Sequence, residues 1–151
     1  MSFFLITLSA FVGMEFVSYL VHRFVYHGFL WVIHKSHHSR REGAFELNDV
    51  FPVVFAAIAI PLMVGGVSDP DAVTMLGISI GMTLYGAVYF FIHDLYVHRR
   101  VKRFRLHLPF LLTIKKAHAI HHRYGGEPYG LLFFVRPKSL STITITEDEQ
   151  V

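Results

Sequence analysis

The stretch Ala72–His98, AVTMLGISIGMTLYGAVYFFIHDLYVH, decides the fold. Its first twenty-one residues, Ala72–Ile92, carry no charge. At about 1.5 Å per residue they are long enough to cross a hydrocarbon core of roughly 30 Å. The run ends on His93-x4-His98, a polar pair at the mouth of an apolar helix. Imidazole is the commonest protein metal ligand near neutral pH. The stretch therefore reads as a membrane span that delivers metal-binding side chains to one membrane face.

The same arrangement occurs once more upstream. Phe3–Val21 is a nineteen-residue apolar block with one charge, Glu15, and it runs directly into His22-x4-His27. A triplet follows each pair: His34-x2-His37-His38 after the first and His118-x2-His121-His122 after the second. Ten of the eleven histidines fall into these two sets, and only His107, read as a loop residue, lies outside. A further block, Val50–Gly66, has seventeen uncharged residues and contains Pro52 and Pro61. Neighbouring helices can satisfy the carbonyls that a proline frees. No basic segment precedes the first block, which argues against a removable signal peptide. The expectation is an all-α integral membrane protein with three, at most four, transmembrane helices. Short helices at one face would carry a histidine-rich dinuclear metal site. Residues 1–135 would form one membrane domain, and residues 136–151 a polar tail, mostly disordered and without a site.

Composition narrows the function. The chain is 53% hydrophobic with a mean hydropathy of +0.45. It has no cysteine, which excludes a disulfide framework, a thiolate-held iron–sulfur cluster and a cysteine nucleophile. It has no GxGxxG or Walker loop, so no nucleotide module is indicated, and no nucleic-acid partner is expected. All fourteen Lys and Arg lie within 23–41, 99–123 or 136–138, whereas the turn Gly65–Asp71 between two apolar blocks has none. The positive-inside rule then places both histidine sets in the cytoplasm of a multi-pass protein of the cell inner membrane. Topology alone explains the dense run Arg99–Arg105. The same charges would also suit an acidic electron-transfer protein or anionic membrane lipid.

The spacings suit metal ligation. On a helix, residues i, i+3 and i+4 share a face within about 100° of arc. This applies to His34, His37 and His38 on an amphipathic helix expected over Phe29–Ser39. It applies equally to His118, His121 and His122 on a helix expected over Phe110–Tyr124, after Pro109 and closed by Gly125-Gly126. The x4 pairs would stand about 140° apart on an ideal α-helix, so they are expected at helix ends. All-nitrogen ligation suits zinc, iron, copper or nickel. Structural zinc closes with four ligands, often cysteines, and ten imidazoles are too many for one ion. Two ions with four or five imidazoles each suit redox-active iron better. Residues expected to orient the ligands are Asp94, beside His93, and Glu46, Asn48 and Asp49, just beyond the first set; helix capping is an equal reading, with Asn48 or Asp49 as the cap of the second span. Glu15, an ionisable group inside a span, is expected to bond a ligand histidine or Tyr19. Tyr85, Tyr89 and His93 share one face of their span.

The series HxxxxH, HxxHH, HxxxxH, HxxHH resembles the fatty acid hydroxylase superfamily of membrane non-haem di-iron enzymes. The strings Gly13-Met14-Glu15, Gly43-Ala44-Phe45-Glu46-Leu47-Asn48-Asp49, Gly81–Gly86, Phe91-Ile92-His93-Asp94 and Lys116-Ala117-His118 are similar to the bacterial β-carotene 3-hydroxylases. The resemblance covers roughly residues 10–135. It implies hydroxylation at C3 of β-ionone rings, from β-carotene through β-cryptoxanthin to zeaxanthin. The cofactors it implies are two iron ions, replaceable by zinc in a purified sample, with O2 as co-substrate and electrons from an external ferredoxin-type donor. The substrate would be a carotenoid drawn from the bilayer. The implied metal ligands are His22, His27, His34, His37, His38, His93, His98, His118, His121 and His122. The alternative is a fatty acyl or sterol hydroxylase or desaturase with the same di-iron site.

Overall fold

The computed structural model describes residues 2–39, 43–101, 106, 108–133, 138–142, 144–145 and 151, with residues 139 and 140 described in the main chain only. His107 and half of the polar tail lie outside the described residues, as do Arg40, Arg41, Lys102, Arg103 and Arg105. No β-strand occurs among the described residues. The described residues form five α-helices: α1 (Phe3–Leu20), α2 (Trp31–His34), α3 (Val50–Ser68), α4 (Val73–Tyr89) and α5 (Pro109–Tyr124). α1 continues as a π-helical segment, Val21–Phe29, and α4 as another, Phe90–Val97. Among the described residues, three stretches are long and apolar enough to cross a membrane: Phe3–Phe29, Leu47–Ser68 and Val73–Val97. Each extends beyond the apolar block that marks it in the sequence. A helix gains by carrying its backbone hydrogen bonds through the interface instead of ending them in hydrocarbon.

The chain divides into two compact units. The first comprises Met1–Val17 and Val32–Val88. Its helices pack through glycines. A Cβ built on Gly81 of α4 would lie 2.5 Å from the Thr7 carbonyl oxygen and 2.6 Å from the Ala10 Cβ of α1. One built on Gly77 would lie 2.8 Å from Ile6 Cγ2. Lipid tails are as apolar as leucine, so helices in a bilayer associate through this kind of close backbone approach. α3 meets α4 the same way, with Gly66 against the Leu76 backbone. The helix runs through Pro61 to Ser68. A turn follows in which the Asp69 side chain accepts from the Asp71 N–H at 2.9 Å. Large apolar side chains, among them Ile60, Val64 and Val67 on α3, are exposed, as lipid-facing positions should be.

The second unit comprises Ser18–Trp31 and Tyr89–Val151. α5 begins with Pro109 in its first turn and stops at Gly125, whose φ of 72° is left-handed. It packs on the Phe90–Val97 segment with Ile114, Ala117 and Ile120 buried.

The helix expected over Phe29–Ser39 is corrected: only Trp31–His34 is α-helical. Gly28, at φ −99° and ψ −124°, breaks the preceding helix. Beyond His34 the serines compete for the backbone. Ser36 Oγ donates to the Ile33 carbonyl at 2.8 Å and Ser39 Oγ to the Lys35 carbonyl at 2.8 Å. The chain continues in i→i+3 turns, with His37 N–H donating to the His34 carbonyl at 2.9 Å.

Candidate metal centre

The five-residue spacing of both histidine pairs finds its explanation in the backbone. His22 and His27 lie in the π segment Val21–Phe29, and His98 closes the segment Phe90–Val97 that carries His93. A π-helix bonds residue i to i+5. The His98 N–H donates to the His93 carbonyl at 2.9 Å, and the Leu30 N–H to the Val25 carbonyl at 3.0 Å. The wider turn brings residue i+5 back over residue i, where an α-helix would send it about 140° round. The imidazoles of His22 and His27 accordingly stand with ring centres 5.0 Å apart, and those of His93 and His98 at 4.5 Å.

Within the second unit the histidines form two clusters. His22, His27 and His121 offer ligand nitrogens that all lie within 4.8 Å of one another. His27 Nε2 and His121 Nε2 are 3.1 Å apart. His93, His98 and His118 do the same, with His98 Nε2 and His118 Nε2 at 3.0 Å. The His122 ring lies 4.5 Å from that of His118 and 4.8 Å from that of His98. α5 thus serves both clusters from one helix. In the first unit, His34 and His38 offer nitrogens within 4.8 Å, and the His37 ring is 5.5 Å from that of His34.

Oxygen acceptors fix the tautomers. An oxygen without hydrogen can only accept, so a ring nitrogen bonded to it must carry the proton. His22 Nδ1 donates to the Tyr129 carbonyl at 2.8 Å, and His121 Nδ1 to the Gly126 carbonyl. His98 Nδ1 donates to the main-chain oxygen of Val151 at 2.9 Å. In the first unit, His34 Nδ1 donates to Asn48 Oδ1 at 2.7 Å and His37 Nδ1 to Glu46 Oε1 at 2.9 Å. In a neutral imidazole each of these bonds leaves Nε2 with its lone pair, the form that ligates a metal. His118 is held neutral as well. Burial first, and then the facing imidazoles of His122, His93, His98 and His121, hold it well below the ordinary histidine range. Buried neutral nitrogen donors with oriented rings fit a borderline metal such as iron or zinc.

The remaining residues singled out in the sequence fall as follows. Asn48 orients His34. Asp49 caps the turn Leu47–Asp49, its carboxylate accepting from the Glu46 N–H at 3.1 Å. Asp94 is 3.7 Å from His93 Nδ1, too far for a hydrogen bond, and is engaged instead by Arg100 Nε at 2.9 Å. Glu15 is buried and accepts from the Tyr85 hydroxyl at 2.8 Å, a partner on α4 where the sequence pointed to Tyr19 or a histidine. Tyr89 stacks on His93 with ring centres 4.6 Å apart. The carbonyls of Gly126 and Tyr129 and the main-chain oxygen of Val151 were not legible beforehand, because main-chain acceptors leave no residue-type signal. Lys115 enters the sequence reading only as one of the basic residues within 99–123. It is fully buried on α5, its ammonium 5.9 Å from the centre of the Tyr96 ring.

An all-helical membrane protein whose histidines gather into nitrogen-donor clusters able to hold metal is the class that this fold and site define. The chain belongs to the fatty acid hydroxylase family, whose profile matches residues 7–140. It is 37% identical to a beta-carotene hydroxylase of Pantoea ananas over 148 residues, covering 97% of this chain and 83% of the relative. A beta-carotene hydroxylase of Pseudescherichia vulneris is also 37% identical, over 92% of this chain and 81% of its own. The chloroplastic beta-carotene 3-hydroxylase 1 of Arabidopsis thaliana is 41% identical over 96% of this chain but only 48% of its own. The chain therefore spans about half the length of the plant relatives it matches. No solved structure matches.

Proposed function

We propose that the chain is a membrane di-iron oxygenase that hydroxylates C3 of β-ionone rings, taking β-carotene through β-cryptoxanthin to zeaxanthin. The observation that carries this reading is the pair of nitrogen clusters in a chain 37% identical, over more than nine-tenths of its length, to bacterial beta-carotene hydroxylases. The ten histidines of the four motifs are the ligands of two iron ions. Bound iron with O2 supplies the oxidant that an unactivated ring C–H requires. One oxygen atom enters the substrate and the other leaves as water, so each turnover consumes two electrons and two protons. An external ferredoxin-type donor supplies the electrons, and the basic run Arg99–Arg105 of the sequence suits an acidic carrier.

The chain's own part is orientation and dryness. The Nδ1 bonds hold the imidazoles in one tautomer and one rotamer. Burial of His93, His98, His118 and His121 keeps water from the reacting carbon. The apolar, exposed helix faces let a carotenoid reach the site from the bilayer. Lys and Arg sit beside the histidine sets and are absent from the Gly65–Asp71 turn, which supports an inner-membrane protein with the site facing the cytoplasm.

Expression in cells that accumulate β-carotene, followed by pigment chromatography, tests the reading. β-Cryptoxanthin and zeaxanthin are expected. If the iron-loaded protein yields neither, and hydroxylated or desaturated lipids appear instead, the substrate assignment is overturned.

A further inference from the structure

Two ligands of one cluster take their orientation from a single loop. Gly126 and Tyr129, both in the turn that follows α5, supply the carbonyls that fix His121 and His22. Their positions depend on what holds that turn, and Glu127 does so from its middle. Glu127 Oε1 accepts from the Tyr19 hydroxyl at 2.8 Å and from Arg23 Nη1 at 3.0 Å. Its Oε2 accepts from the Tyr129 N–H at 3.2 Å, in the same residue whose carbonyl orients His22. Tyr19 and Arg23 flank His22 on its own helix, so one carboxylate joins the ligand-bearing helix to the acceptor-bearing loop. The Tyr129 ring completes the arrangement, edge-on to His22, His27 and His121 at 5.5, 5.2 and 5.2 Å. The Arg23 side chain is 44% exposed and that of Glu127 29%. An ion pair so open to solvent contributes little to stability, so its consequence is geometric.

We propose that Glu127 is the positioning residue of the His22/His27/His121 cluster, fixing the loop whose carbonyls set the tautomer and aim of two metal ligands. The proposal rests on the metal-site reading above. It concerns this cluster: in the His93/His98/His118 cluster, His98 Nδ1 donates to Val151, outside this loop.

The test is a Co2+ titration of the full-length protein in detergent micelles. Bound metal is counted by equilibrium dialysis, and the d–d absorption of each ion is followed. The wild type is expected to take up two ions. Glu127→Ala is expected to retain one at wild-type affinity and to bind the other about ten- to hundredfold more weakly, with an altered d–d band for that ion alone. Glu127→Gln, which keeps an acceptor for Tyr19 and Arg23, should recover part of the loss. Tyr19→Phe removes a single hydroxyl and should shift the same ion in the same direction should Glu127→Ala not fold. Two unaltered ions in Tyr19→Phe and in whichever Glu127 variant folds would overturn the proposal, as would equal weakening of both. A wild type that binds no Co2+ would remove the metal reading itself, and this proposal with it.

Discussion

Gly81→Ala adds one methyl group where α4 meets α1. The added Cβ would stand 2.5 Å from the Thr7 carbonyl oxygen, 2.6 Å from the Ala10 Cβ and 2.9 Å from the Phe11 nitrogen. Ordinary contact begins near 3.4 Å, so the methyl is about 0.9 Å short of room. Two of the three obstructing atoms are backbone, and no rotamer change moves them aside. The helices must part by nearly that distance along the whole contact. Overpacking of this kind costs about 1–3 kcal/mol. Gly86→Ala is the reference, because a Cβ there meets nothing within 4 Å. It shares with Gly81→Ala the gain of about 1 kcal/mol that alanine brings to a helix, so the difference between the two isolates the packing. Thermal unfolding in detergent micelles should place Gly81→Ala about 2–12 °C below Gly86→Ala, at roughly 2–4 °C per kcal/mol for a chain of this size. Equal midpoints would refute the claim that glycine at 81 is required by close helix approach.

Two further outcomes follow from the site. Asn48→Ala removes the acceptor that fixes His34 and is expected to weaken Co2+ binding about tenfold or more. Asn48→Asp keeps an acceptor oxygen and should bind nearly as the wild type does; equal binding by all three proteins would deny Asn48 an orienting role. For the metal-stripped protein, His118 predicts a direction with pH. Its folded-state pKa is depressed by burial, while the unfolded chain takes up the proton at about 6.5. Below that pH the unfolded state binds more protons, so stability is full above about pH 7 and falls as pH drops below about 6.5. Unfolding midpoints that stay level from about pH 8 to about pH 5 would count against a buried neutral His118.

How much could be read in advance depended on which group carries the information. The spans were legible because hydrocarbon tolerates no unpaired backbone and few charges, so each leaves a long uncharged run. α5 was legible because its punctuation is chemical: proline, which needs no N–H in the first turn, and glycine, which takes a left-handed φ at the end. Its triplet shares a face as the i, i+3, i+4 rule requires. The first triplet obeys the same rule on paper, yet its helix stops at His34. The Ser36 and Ser39 hydroxyls bond locally to carbonyls, and Gly28 breaks the chain just upstream. Spacing fixes where residues fall on a helix once the helix exists; it does not make the helix form.

The x4 pairs carry the argument further. Judged by α-helical geometry, a five-residue spacing separates two side chains, and placing them at helix ends explains only why that is tolerable. The i→i+5 bond from the His98 N–H to the His93 carbonyl reverses the reading. The backbone is widened so that a five-residue step comes much closer to a full turn than it does in an α-helix, and the spacing becomes one that brings two imidazoles toward a single face. A π turn has poorer backbone geometry than an α turn and occurs mainly as short insertions, often at functional sites. Two of them in one small chain, each at the end of an apolar span and each placing a histidine pair, are not accounted for by propensity. Neither Val21–Phe29 nor Phe90–Val97 contains a proline, so no imposed kink explains them. Ligand geometry does: a pair five residues apart can serve one ion from one helix only if the helix is widened between them. The histidine spacing and the π segments are one feature, seen once in the sequence and once in the backbone.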